Sequence, residues 1–179
     1  MKIFLISFAL IILYAGCSER NVKPIIDRTL NADELPAQES WNATIFFTDS
    51  GATKAVLATG HLRMFEKLQM TLLDSGVHVD FYGIEENITT VLTSLRGKVN
   101  DATKDLYALD SVVAISDSGV TLKTEELMWR NKDKKIVSDK FVTIITPVEK
   151  IQGYGFESDQ ALRNYVIYNI TYTARNDSL

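Results

Sequence analysis

The chain has 179 residues, 46% of them apolar, and a formal net charge of −4. That length accommodates one domain with an appendage. The apolar content excludes a largely disordered chain. The charge balance excludes a nucleic-acid reader, for no Lys/Arg run is present. One cysteine excludes an internal disulfide and a Cys-rich metal site. Val, Ile and Thr supply 45 residues, a β-branched load that favours strands.

The first segment reads as processing signal rather than fold. Lys2 precedes residues 3–16, of which only Ser7 and Gly16 are not apolar. Fourteen residues fall short of the roughly 20 needed to span a bilayer as a helix, and fit a signal-peptide apolar region. Ala15 and Gly16 then precede Cys17. This resembles the bacterial lipoprotein signal, in which the cysteine becomes the lipid-modified first residue, so Cys17 is the expected lipid anchor. The alternatives are an ordinary signal peptide with an incidental cysteine and a short uncleaved anchor. Residues 17–40 are polar, carry Pro24 and Pro36, and read as a lipidated N-terminus and tether with a short helical turn near 31–35.

From Trp41 the pattern becomes that of strands. Val77, Val79 and Phe81 alternate with His78 and Asp80, the two-residue period of a half-buried strand. Residues 115–122 read as strand, Ser/Asp/Gly turn, strand. Residues 141–146 form a strand that stops at Pro147, and 165–173 form a long β-rich run. The stretch 61–70 is the best helical candidate, yet its setting between strand patterns makes it a strand pair. Runs at 54–65, 88–95, 106–115, 120–129 and 136–145 repeat loosely, several with Thr near Leu, as in Leu57-Ala-Thr59 and Leu122-Lys-Thr124. Short strands at this spacing predict an all-β antiparallel sandwich or jelly roll over 41–175, with 176–179 as a tail.

Catalytic patterns are missing from the sequence. His61 and His78 stand in no metal-ligand spacing. Glu85-Glu86 and Glu125-Glu126 are adjacent, and neighbours on a strand point to opposite faces. Gly153-Tyr-Gly155 lacks the third glycine of a dinucleotide loop. Neither a nucleophile elbow nor a phosphate loop is present. No catalytic residue, metal or cofactor is expected, and the chain reads as a carrier or scaffold.

Within the strand pattern stand Val79-Asp-Phe-Tyr82, Leu92-Thr-Ser94, Gly97-Lys-Val99, Gly119-Val-Thr-Leu-Lys-Thr-Glu-Glu-Leu-Met-Trp129, Ile136-Val-Ser-Asp139 and Ile151-Gln-Gly-Tyr-Gly-Phe-Glu-Ser-Asp159. In this order they resemble the LptC family, the periplasmic membrane-anchored component of lipopolysaccharide export. The resemblance covers residues 41–173. It implies a twisted, taco-like β-jelly roll with an apolar interior and open edge strands. It also implies docking on the jelly-roll domains of the LptB–LptF–LptG transporter, transfer of lipopolysaccharide (lipid A) acyl chains to LptA, and a place at the periplasmic face of the inner membrane. Ser18 after the cysteine leaves the outer membrane open as the anchor's site.

On that frame, alternation aims Val77, Val79, Phe81, Leu122, Trp129, Phe141, Ile145 and Phe156 inward as core or groove lining. An open jelly roll exposes edge strands that accept another strand. The resemblance puts the first edge, with Trp41, Ile45 and Phe47, against the transporter. It puts the last, with Tyr165, Ile167, Tyr168 and Ile170, toward LptA. Gly153 and Gly155 read as backbone necessities, a bulge or a close approach. The alternative is a structural or adhesive all-β outer-membrane lipoprotein without lipid cargo.

Overall fold

A computed structural model describes residues 35–175. The signal-like segment 1–16, Cys17, nearly all of the tether with its helical turn, and the tail 176–179 lie outside the described residues. Ten strands follow one another: β1 (Gln38–Asp49), β2 (Ala52–Phe65), β3 (Met70–Tyr82), β4 (Ile88–Ser94), β5 (Arg96–Asn100), β6 (Leu106–Ser116), β7 (Thr121–Arg130), β8 (Lys135–Ile145), β9 (Glu149–Ser158) and β10 (Tyr165–Arg175). The first begins three residues before Trp41. Residues 61–70 form the end of β2, a turn and the start of β3, so the strand pair holds there.

All ten strands belong to one antiparallel sheet ordered β1-β2-β3-β4-β6-β7-β8-β9-β10, with β5 continuing β4 between β3 and β6. This is the all-β jelly roll the sequence predicts, built from a single meander whose two layers are one sheet folded over itself.

The fold line can be followed residue by residue. Asn42 (φ 53°), Ser75 (φ 62°), Gly76 (φ 87°), Asp110 (φ 65°), Ser111 (φ 50°) and Gly155 (φ 77°) take left-handed conformations in mid-strand. The ladder register shifts between Thr59 and His61, Leu109 and Val112, Thr124 and Met128, and Ser138 and Phe141. These irregularities lie beside one another. Ala43 and Trp41 pair with Thr59 and His61, and those pair with Val77 and Asp74. The Gly76 amide donates to Leu95, and the Leu95 amide to Asp110. The result is a transverse seam of bulges, each bending its strand, which divides the sheet into two arms.

Bulges free carbonyls, and buried carbonyls need donors. Hydroxyls on the seam supply them. The Thr59 hydroxyl lies 3.0 Å from the carbonyl oxygens of both Asp74 and Gly76 and shares its one proton between them. Ser94 donates to Arg96 (2.8 Å), Thr124 to Phe141 (2.9 Å) and Ser138 to Glu126 (2.7 Å).

The inner faces of the arms hold the core. Cα partners in an antiparallel ladder share a face. In the first arm one row therefore runs Ile45, Leu57, Val79, Leu92, Ala114, Leu122, Ile144, Ile151 from β1 to β9. Its members from Leu57 to Ile144 are buried, each such large side chain stabilising the fold by about 1.5–3 kcal/mol. In the second arm Met64, Thr71, Val99, Leu106, Trp129 and Ile136 form the matching row. Contacts between the arms close the fold. Phe47 and Phe81, from the first, meet Trp129, from the second, at ring distances of 5.4 and 5.6 Å. Leu162, in the β9–β10 turn, is buried as well. Its neighbour Gln160 donates its side-chain amide to the carbonyls of Lys54 and Tyr82.

Two residues depart from the expected inward set. Phe141 is 40% exposed, and Ile145 is only partly buried. Both alternating sets of residues 141–146 contain apolar side chains, so alternation alone does not choose between them. Register decides: Ile144 stands opposite buried Leu122, and Val142 opposite Thr124. The inner positions go to Val142 and Ile144. Phe141 turns to the outer face and meets its ladder partner Tyr154 edge to face at 5.2 Å.

Candidate functional site

A strand at the end of a sheet keeps one row of backbone groups unpaired. Here β1 and β10 are those ends, and the sheet path does not join them. On β1, Phe47 is buried at 8% exposure and Ile45 packs half-buried on the core. Trp41 lies on the outer face, 66% exposed, and stacks on His61 at 5.3 Å. On β10, Tyr165 and Ile167 pack against the core, and Tyr168 and Ile170 are exposed. Burial holds the Tyr165 phenol above its ordinary pKa, with the Glu149 carboxylate adding to the shift.

The glycines set how β10 sits on β9. A Cβ at Gly153 would lie 2.3 Å from the Asn169 carbonyl oxygen, so the backbones approach too closely there for any side chain. Gly155 occupies the left-handed region at φ +77° and faces the Tyr168 ring, on the seam bulge.

Beside β1 lies a cavity of about 610 Å³, within the range of about 300–1,000 Å³ usual for ligand pockets. Ala43, Ile45 and Phe47 line it from the first arm, and Leu62, Met64 and Val99 from the second. Asp101, Lys104 and Asn131 add polar groups to the lining, together with Gln38, Ser40 and threonines of β1 and β3. Asp101 accepts from the Thr71 hydroxyl at 2.9 Å, and Lys134 stands 3.8 Å from Asp49 across the arms. The arrangement suits an apolar chain with a polar head left outside.

The rest of the interior is filled. Val77, Val79, Phe81, Leu122, Trp129 and Phe156 are each at most 3% exposed. They come together as closed core, while the cavity is lined by neighbours that alternation over residues 77–81 does not reach. Leu62 and Met64 are the clearest of these. Their signal was present in the spacing Leu57, Thr59, Leu62, Met64, where the inner-facing period of two gains one residue at the seam, and that gain blurs the stretch toward a helical pattern.

The histidines serve structure. His61 Nε2 lies 2.7 Å from Glu39 and His78 Nε2 lies 2.9 Å from Asp80. Among the described residues no group of three or more His, Cys, Asp or Glu is placed to hold a metal ion. The charged pairs sit on the outside. A hydrogen bond from Arg96 holds the Asp110 carboxyl below the usual carboxylate range, and Lys135 does the same for Glu157.

No curated protein matches the chain in a sequence search. A family model, described as lipopolysaccharide-assembly, LptC-related, matches residues 4–174. The match runs from ahead of β1 to the penultimate residue of β10, and the chain belongs to the LptC family.

Proposed function

We propose that this chain, with the part in lipopolysaccharide transport that its family carries, is a periplasmic membrane-associated carrier that accepts acyl chains at the β1 edge and delivers them at the β10 edge. The observation that supports this reading most directly is a cavity, walled on both arms by apolar side chains among polar ones, opening beside an unpaired edge strand. An acyl chain entering it leaves water, at about 0.8 kcal/mol for each buried CH₂. The chain can continue into a neighbouring jelly roll without meeting water again. Strand addition at β1 to the transporter LptB–LptF–LptG, and at β10 to LptA, would align such interiors. The two edges carry their roles through backbone groups, with Ile45 and Phe47 beside one junction and Ile167 and Ile170 beside the other. Cys17 would hold the assembly at the inner membrane through its lipid.

Photo-crosslinking tests the reading in cells. A crosslinker at Ile45 or Met64, which line the cavity, captures lipopolysaccharide; one at Trp41, 66% exposed on the outer face of β1 and outside the cavity lining, does not. Equal capture at Trp41 removes the cavity from the mechanism. Deleting residues 165–179 abolishes binding of LptA and leaves binding to the transporter intact, whereas loss of both denotes misfolding. Cys17→Ser stops acylation and releases the protein from membranes, and retention with unchanged acylation rejects the anchor.

A further inference from the structure

The cavity ends at an aromatic contact. Phe47 contributes to its lining, and its ring meets Trp129 edge to face at 5.4 Å with an interplanar angle of 79°. Behind it Trp129 meets Phe81 at 5.6 Å. Trp129 and Phe81 are at most 2% exposed, and so are Leu57, Leu122, Ile136 and Ile144 deeper in. Between the cavity and the β10 end there is therefore packed protein rather than an open bore. A chain cannot travel the length of the sheet unless side chains move.

Phe47 is the member placed to move. It stands on an edge strand, held by β2 on one side only. The β1–β2 register shifts between Phe47 and Thr48, so the ladder is already irregular beside it. The end of β1 is fastened to the second arm by a partly exposed ion pair: Asp49 pairs with Lys134 at 3.8 Å, and the Lys134 ammonium, which also donates to Asn131, lies 5.4 Å from the Trp129 ring centre. An ion pair this long and half exposed is weak and screened by salt. Trp129 also carries a buried indole N–H with no hydrogen-bond acceptor, a cost to the closed arrangement that an oxygen on an entering chain would relieve.

We infer that Phe47, Phe81 and Trp129 form a valve between the cavity and the apolar interior, closed in this structure, which opens when the end of β1 carries Phe47 away from Trp129. The inference rests on the carrier reading above and gives it a control point. Strand addition at β1 acts on the same strand that holds the valve shut, so docking and passage are coupled.

The test uses the full chain with Trp41→Phe, which leaves Trp129 as its one tryptophan. Two readouts are taken: quenching of Trp129 fluorescence by acrylamide, and energy transfer from Trp129 to cis-parinaric acid, a fluorescent fatty acid. Phe47→Ala is expected to raise the quenching constant and the rate of fatty-acid uptake severalfold. Phe47→Leu keeps apolar volume and the strand, and raises both in the same direction by less. Unchanged quenching and uptake in both variants, with native circular dichroism, overturns the valve while fatty-acid binding itself sustains the carrier reading. Increased quenching without fatty-acid binding in any variant sustains the valve and rejects the carrier reading.

Discussion

Thr124 donates its hydroxyl to the carbonyl of Phe141 at 2.9 Å, tying β7 to β8 where their ladder loses register. The bond stands in for a backbone bond that the bulge removes. Thr124→Val keeps the shape and leaves the carbonyl without that donor. It is expected to destabilise the fold by about 1–3 kcal/mol, measured by urea unfolding, and Thr124→Ser restores most of the loss. A Val variant as stable as the parent would mean that the seam does not depend on its hydroxyls.

The seam also explains what the sequence disclosed and what it hid. Strands and turns are legible where alternation runs unbroken within an arm, as in Val77, Val79 and Phe81. The recurrence of Thr near Leu coincides with the seam at two of its three sites. Leu57, Leu92 and Leu122 occupy one inner row, and Thr59 and Thr124 face the same interior at the seam; in Leu92-Thr93 the threonine is exposed and Ser94 takes the inner position. After each hydroxyl the inner positions resume three residues on, at Leu62, Gly97 and Leu127. A fixed period of two cannot follow that step, so the cavity residues Leu62 and Met64 fall outside the alternating pattern. Phe141 is ambiguous for another reason: both faces of its strand are apolar, and only pairing across β7 selects one.

Gly153→Ala tests the close approach that holds the last strand. The added Cβ would stand 2.3 Å from the Asn169 carbonyl and 2.8 Å from the Ile167 side chain. Because the obstruction is backbone, β10 must shift, at about 1–3 kcal/mol as for other overpacked sites. Hydrogen exchange is expected to accelerate in residues 165–175 while β2 to β7 keep their protection. Uniform acceleration would place the damage in the core instead of the edge.

Core and cavity residues respond differently to truncation. Leu122 is fully buried between Ala114 and Ile144, and Leu122→Ala is expected to cost about 2–5 kcal/mol. Met64 borders open space and is partly buried. Met64→Ala therefore destabilises by less, since the lost contacts were fewer, yet lowers fatty-acid affinity by removing lining surface. Unfolding and fluorescence titration of the two variants separate the roles; a larger stability loss at Met64 than at Leu122 would contradict the assignment of cavity and core.

Acid sensitivity should trace to the outer ion pairs. The hydrogen bond from Arg96 lowers the Asp110 pKa, and that from Lys135 lowers the Glu157 pKa. A carboxylate with a depressed folded pKa adds stability above its unfolded pKa, about 3.9 for Asp and 4.3 for Glu. That stability is lost as pH falls through the folded pKa. Asp110→Asn tolerates the left-handed backbone at this position and removes one such group; Glu157→Gln removes the other. Each is expected to lower the thermal midpoint slightly at neutral pH and to flatten its fall below about pH 4. Both effects shrink in molar salt, because the groups are exposed and their attraction is screened. A variant whose midpoint falls with acid as steeply as the parent's, at low salt, would assign acid sensitivity to other carboxylates.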